Sequence, residues 1–446
     1  MKLPLQAPSL VQALQSLTSG DMGRILLHQS PLVNEAYLHW DEVRHRTPPQ
    51  GLTPEQWWAA IKFARHGMLR PLPLLDKTGQ PFVLGMPEPI LIHLHHIDCD
   101  AAGEIRSVAD VAAKEHQAGY LINSLIEEAI TSSQLEGAAT TRKVAEAMLH
   151  EGRKPRDHSE RMIFNNFVAM QAIREMRDEA ITPERILALH RMLTADTLDD
   201  REDAGRLRRS DDIRVVDNRD GTLLHQPPSW QELPERLERL CQFANAPHDA
   251  VPFVHPVLRA ILLHFMIGYD HPFADGNGRT ARALFYWSMA RSSYWMMEFL
   301  SISHFLRRAP AQYVTAYLHT ETDGNDTTYF LLHQLETIRR AIVLLHENLA
   351  RNIEAQRATE RLLAASTTLR ARLNHRQMAL LTNALKHPGK AYRVEGHQRT
   401  HGVVYQTART DLMTLAELGL LHKSRAGKAF VFTAPADLQG RLTALA

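Results

Sequence analysis

Cysteine is nearly missing from this chain of 446 residues: Cys99 and Cys241 are the two present. That number excludes a disulfide framework and a four-cysteine zinc site, and it fits a reducing cytoplasm. No run of about eighteen apolar residues occurs, so no helix is expected to span a membrane. The first residues hold one lysine, and Gln6, Gln12 and Gln15 interrupt the apolar positions, which is not the pattern of a secretory signal. Aromatics are 7% of the chain and net charge is +1, so the whole molecule has no strong bias toward a polyanionic partner. Hydrophobic content of 44% and charged content of 23% are ordinary for soluble protein, and the length allows two or three domains.

The chemistry is concentrated in one stretch, His271-Pro-Phe-Ala-Asp-Gly-Asn-Gly-Arg-Thr-Ala-Arg282. Gly276, Asn277 and Gly278 can adopt open backbone angles that aim successive N–H groups at one point. The run from Thr280 onward predicts a helix, so the turn sits at a helix N-terminus, where free N–H groups and the macrodipole favour an anion. Arg279 and Arg282 lie three apart and suit bidentate phosphate contact. Asp275 offers one hard oxygen ligand to a phosphate-bound Mg²⁺, and His271 can exchange a proton near neutral pH. The stretch resembles the signature HPFx(D/E)GNGRxxR of the Fic family, with nine specified positions in twelve. The resemblance implies a mainly α-helical domain that transfers AMP from ATP to a Ser, Thr or Tyr hydroxyl of a protein. It implies His271 as base, Asp275 as Mg²⁺ ligand, Gly276, Asn277 and Gly278 as the anion hole, and Arg279 and Arg282 on the outer phosphates.

Upstream, Ser107 to Ile130 has apolar residues at helical spacing and leads into Ser132-Ser-Gln-Leu-Glu136-Gly137. This resembles the family's inhibitory motif (S/T)xxxE(G/N). The resemblance implies a pairing of Glu136 with Arg282 that blocks the place of the γ-phosphate. The plain alternative is a helix end closed by Gly137. Helices are expected at about Ser159 to Asp178, Thr182 to Thr194, Ser229 to Asn245 and Val254 to Tyr269, the last with His264 as a satisfied core histidine. Ile213 and Val215 alternate with charged residues before the turn residues Asn218 to Gly221, which predicts a β-hairpin. In the family a hairpin flap here docks the target by main-chain pairing, a mode with little sequence readout.

The rest divides as follows: residues 1–104 of underivable role, 105–345 the Fic-like region, 346–369 a linking helix and 370–446 a tail. In the first segment Thr53-Pro-Glu-Gln-Trp-Trp predicts a capped helix, and His93-Leu-His-His-Ile-Asp-Cys-Asp100 reads as one wet face rather than a metal site. Asp323-Gly-Asn325 with Asp326 reads as an ordinary cap before a helix from Thr328 to about Ala365. The tail holds twelve Lys/Arg against four acids, a net +8 that leaves −7 for the rest of the chain. Helices near Asn374 to Leu385, Tyr392 to His401 and Val403 to Leu418, then a basic hairpin from Leu420 to Phe432, resemble a winged helix-turn-helix. That resemblance implies DNA contact by Gln406, Arg409, Lys423, Arg425 and Lys428, with protein docking as the alternative. Three functional readings stand beside one another: protein adenylyl transfer, AMP removal at the same site, and a DNA-binding regulator with a nucleotide-sensing Fic domain. Self-modification and a homo-oligomer stay open.

Overall fold

The structure, a computed structural model, describes residues 3–15, 17, 20–102, 114–217, 219–247, 249–364, 371–386, 390–426, 429–435 and 437–444. It is mainly α-helical and divides into two compact units. One comprises Met1–Ile105 with Gly119–Val343, the other Arg106–Ala118 with Leu344–Ala446.

The first unit is built around the helix Pro256–Asp270, in which 13 of 15 residues are buried. A helix that is apolar all round can be stable only where neighbours cover every face. Asn277–Arg291 and Leu233–Ala244 pack along it, and His158–Glu175 and Pro183–Thr194 pack in turn on Asn277–Arg291. Removing a large apolar side chain here, such as Phe265 or Phe285, should cost about 3–5 kcal/mol. The helix expected from Ser159 begins one residue earlier, at His158, because the side chain of Asp157 accepts the Glu160 N–H and caps it. The one expected from Ser229 begins at Leu233, after a single 3₁₀ turn, Trp230–Glu232. Elements without a forecast include the helices Arg142–Glu151, Ile302–Arg308 and Pro310–Thr322 and the hairpin Arg70–Leu75 with Pro81–Leu84.

The N-terminal residues join this unit through buried charge. Thr53 and Gln56 form the capping box of Pro54–His66, which buries Trp57 and Trp58 with Trp40 and Ile61. From the same helix Arg65, with no exposed surface, donates to the Pro31 and Leu38 carbonyls and to the Tyr329 hydroxyl. Lys62 pairs with Asp323 at 2.8 Å, and the Tyr37 hydroxyl donates to Asp326 at 2.6 Å. The 323–326 stretch is therefore more than the ordinary cap expected of it. Asp326 does accept the Thr328 N–H at 3.0 Å, but both aspartates are buried acceptors for the N-terminal residues. His93 to Ile97 lies at the end of the helix Glu88–Ile97, with His95 and His96 exposed and Leu94 and Ile97 buried.

His39 stacks on His319 with ring centroids 4.2 Å apart, near Arg65 and Lys62, with Asp41 facing His319. Burial pushes His39 down to about 2 and His319 to about 4 from the ordinary 6.5. Folded, both rings stay neutral where the unfolded chain would already bind protons. Stability is therefore complete above pH 6.5 and declines as pH falls toward the folded values, by up to about 1.4 kcal/mol per pH unit for each ring. Thermal melts from about pH 7 to about pH 5 should show this decline, and His319→Phe should flatten it. Parallel curves for the two proteins would assign the decline to other groups.

In the second unit His375–Lys386, Val394–His401 and Tyr405–Glu417 pack Leu381, Val394, Leu412, Leu415 and Phe432 into one core. Asp411 is buried at their centre and accepts from Asn374, Arg376 and His397. Tyr392, forecast as helical, lies instead in a strand, Ala391–Arg393. It pairs with Ala429–Thr433, which pairs in turn with His422–Ala426, giving a three-stranded antiparallel sheet. Local periodicity could not reveal a strand of three residues whose partners lie about forty positions away.

Candidate active site

The helix Pro256–Asp270 ends at His271, whose φ of 45° lies in the left-handed region that only a few per cent of non-glycine residues occupy. The next helix begins at Asn277 rather than Thr280. It starts early because Gly276, at φ 82°, reverses the chain within one residue, and the Thr280 N–H already bonds to the Gly276 carbonyl. A side chain at Gly276 would also meet Thr194 at 2.7 Å. The Asn277 amide bonds both the N–H and the carbonyl of Phe273 at 2.9 Å, closing the turn on itself. No side chain caps the helix, so the N–H groups of Asn277, Gly278 and Arg279 have no acceptor within it.

A second histidine holds this turn from below, and the sequence reading passed over it. His190, from the helix Pro183–Thr194, reaches the Asp275 carbonyl with Nε2 and accepts the Gly205 N–H on Nδ1, each at 2.9 Å. Its ring lies flat on Phe273, centroids 3.8 Å apart. Burial holds it down to about 4, so one nitrogen donates and the other accepts. Its signal in the sequence was weak: one histidine on the apolar face of a helix.

Arg282 is buried and lies on the inhibitory segment. Its Nε donates to the Ser132 hydroxyl at 2.8 Å, and one terminal nitrogen donates to the Ser132 carbonyl at 3.0 Å and to Glu136 at 2.8 Å. Burial alone would lower its affinity for the proton, but Glu136, Tyr313 and Glu128 outweigh that and raise it. The Glu136 carboxylate also sits over the glycine turn: a Cβ on Gly278 would fall 2.1 Å from its oxygen. The motif's helix runs Lys114–Leu135, further than expected at its C-terminal end, and the stretch forecast from Ser107 to Ala113 lies outside the described residues. Gly137, at φ 94°, turns the chain just after Glu136. One turn earlier Glu128 accepts from Tyr286 and Ser301, which straps the same helix to the one that carries Arg282.

Arg279 is also buried but differently engaged, with one nitrogen on the Leu193 carbonyl and another on Asp275. Its Nε is buried with no partner. Asp275 is 61% exposed. His264 was expected to be a satisfied core histidine, yet only Nε2 is bonded, to the Tyr313 hydroxyl, while buried Nδ1 has no partner. His271 lies with Nδ1 3.3 Å from the Gly268 carbonyl, so a proton on Nδ1 leaves Nε2 as the acceptor. Burial lowers its pKa below the ordinary imidazole range.

The hairpin forms with Val215–Val216 against Leu223–His225, but Ile213 lies outside the ladder. A bulge between Val215 and Val216 ends regular pairing there, so the alternation at Ile213 continues no strand. Asn218 lies outside the described residues. His225 ties the returning strand to the Tyr269 carbonyl at 2.7 Å and to Glu321. Of the tail residues, Gln406, Arg409, Lys423 and Arg425 are exposed in the second unit, and Lys428 lies outside the described residues.

Three comparisons bear on this geometry. Residues 180–289 match the model of the Fic/DOC family. The chain is 30% identical over 197 residues to the protein adenylyltransferase Fic of Drosophila virilis, covering 44% of this chain and 37% of that one. To the Drosophila melanogaster protein of the same name it is 31% identical over 159 residues, 35% of this chain and 30% of that one. The match thus spans about a third of the length of these relatives. A crystal structure of a Fic family protein from Desulfovibrio desulfuricans G20 is similar with a TM-score of 0.49 at 18% identity, covering 78% of this chain and 97% of that one. The match over 180–289 takes in His190, Arg208, the hairpin and the whole 271–282 turn, so over these residues the chain carries a domain that matches the Fic/DOC family.

Proposed function

We propose that the domain is a protein adenylyltransferase held inactive by Glu136. The observation that carries this reading is a carboxylate seated on a buried arginine, over an uncapped helix N-terminus, beside a histidine whose pKa is lowered. An anion already occupies the place built for one. In the reaction the target hydroxyl oxygen attacks the α-phosphorus of ATP, its proton passes to His271 Nε2, and the bond from α-phosphorus to the bridging oxygen breaks to release pyrophosphate. The N–H groups of 277–279 bind the phosphate oxygens, with Arg282 and the unpartnered Arg279 Nε as further donors. The flap edge at Val215 and Val216 pairs with the target's main chain.

Mg²⁺ fits as an ion delivered with the phosphates. Among the described residues no group of three or more His, Cys, Asp or Glu could hold a metal. Asp275 would thus be one protein ligand, with the other ligands drawn from phosphate and water, and the ion would neutralise phosphate charge. Incubation with α-labelled ATP and Mg²⁺ tests the reading. Label should appear on protein with Glu136→Gly and not with His271→Ala in the same background. Release of AMP from previously labelled protein, with no forward labelling, would favour AMP removal.

A second reading concerns the tail, because six of its exposed bases among the described residues form no ion pair. Among the described residues Arg372, Arg393, Arg399, Arg409, Lys423 and Arg425 are exposed and form no ion pair, whereas Asp411 and Asp437 are taken up by Arg376 and Arg441. Gln406, Arg409 and Thr410 share the exposed face of Tyr405–Glu417, while Ala408, Leu412 and Leu415 hold the other in the core. We read this winged-helix-like unit as a duplex DNA contact. The full chain should bind a DNA duplex at low salt and lose roughly a hundredfold or more of its affinity over a fourfold rise in salt, as several phosphate contacts require. Absence of binding at low salt would leave protein docking as the tail's role.

A further inference from the structure

Arg208 is buried at 4% exposure and was not singled out by any motif. Its guanidinium donates in three directions. Nε bonds the His271 carbonyl at 3.0 Å, one terminal nitrogen bonds the Ser210 carbonyl at 2.7 Å and Asp211 at 2.8 Å, and the other bonds the Pro228 carbonyl. Its own N–H bonds the Pro272 carbonyl at 2.9 Å. Ser210 and Pro228 are the two stems of the hairpin flap, and His271 and Pro272 open the catalytic turn. Asp211 completes the stitch, accepting the Trp230 N–H at 2.7 Å and facing the Ser229 hydroxyl at 3.3 Å. The bond from the Trp230 N–H, with Arg208 nearby, holds the Asp211 carboxyl below the usual range.

We infer that Arg208 is a positioning residue that fixes the target-docking flap in register with His271. The inference rests on the adenylyl-transfer reading and deepens it. A left-handed, non-glycine residue keeps its backbone only where the surroundings over-determine it, and the His271 carbonyl is held by this one side chain. The same planar fork sets both flap stems. A target strand paired on Val215 and Val216 is thereby placed at a fixed height over Nε2 of His271. ATP is held elsewhere, by the 276–282 turn, so Arg208 acts on the acceptor's position and not on nucleotide affinity. Lysine cannot substitute, because a point ammonium does not reach three separated acceptors from one buried plane.

The test uses the full chain in the Glu136→Gly background, with α-labelled ATP, Mg²⁺ and total cell-extract protein as acceptor. Three quantities are read: ATP binding by calorimetry, label on protein, and free AMP formed when water is the acceptor. Water needs no flap. Arg208→Lys should keep ATP affinity within about twofold and lower label on protein at least tenfold, with free AMP falling much less. Equal label in parent and variant would overturn the inference. So would ATP binding, label and free AMP falling in one proportion, the sign of a merely structural role. Should Arg208→Lys melt far below the parent, Asp211→Asn serves instead, since that side chain is half exposed; it should show the same split with a smaller loss, and an unchanged ratio of label to free AMP would overturn the inference. A parent that yields neither label nor AMP sinks the adenylyl-transfer reading itself, and this one with it.

Discussion

Glu136→Gly is expected to raise protein labelling roughly a hundredfold or more over the parent chain. The Glu136 oxygen lies 2.8 Å from Arg282 and over Gly278, so an incoming γ-phosphate meets a carboxylate where it needs a cation and free N–H groups. ATP held short of that seat leaves its α-phosphorus out of line with a hydroxyl approaching past His271, and a misplacement of about one ångström can cost a hundredfold in rate. Removing the carboxylate frees the seat. It also leaves a buried guanidinium with Ser132 alone of its two partners on the inhibitory segment, which should lower stability by up to about 3–5 kcal/mol. The melting temperature should therefore fall while labelling rises, so the gain cannot come from more folded protein. Arg282→Ala should not reproduce the gain, because it removes the partner of the inhibitor and of the phosphate together. Equal labelling by parent and Glu136→Gly, with equal ATP binding, would reduce Ser132 to Gly137 to a helix end.

In that activated background His271→Ala should lower labelling by about 10²–10⁴-fold while ATP binding stays near the parent value. The imidazole takes the hydroxyl proton and touches no phosphate in this scheme, so the loss belongs in kcat. Burial lowers its pKa, which keeps the ring neutral and able to accept a proton. Activity should hold as pH falls through the ordinary imidazole range and drop only on passing the lowered pKa. A rate that titrates near the unperturbed value, or a variant that loses ATP binding in step with labelling, would count against His271 as base.

The parts of this site that could be read from the chain are those whose geometry is local. Gly276 stands at the N-cap of a helix that Asn277 and Gly278 open, and Ser132 and Glu136, four apart, reach the same arginine. Local reasoning failed where a partner came from afar. Arg279, expected beside Arg282 on the outer phosphates, also places one terminal nitrogen on the Leu193 carbonyl 86 positions away, a contact that spacing along the chain does not announce. His190 and Arg208 carried no signature because what each does is bond main-chain carbonyls, which every residue possesses.

The sequence alone thus determined the helical class, the resemblance of 271–282 and 132–137 to the Fic signatures and the glycine turn at the start of a helix, because each follows from residue types at fixed short spacing. Only the tertiary structure decided that the N-terminal residues join the Fic unit, through Lys62, Arg65 and Tyr37 on Asp323, Tyr329 and Asp326. It alone decided that Ala391–Arg393 is a strand and that Arg208 bonds both the His271 carbonyl and the hairpin stem at Pro228. These are contacts between residues tens to hundreds of positions apart. Which donor meets which acceptor across such distances is set by how the helices pack, and no periodicity along the chain encodes it.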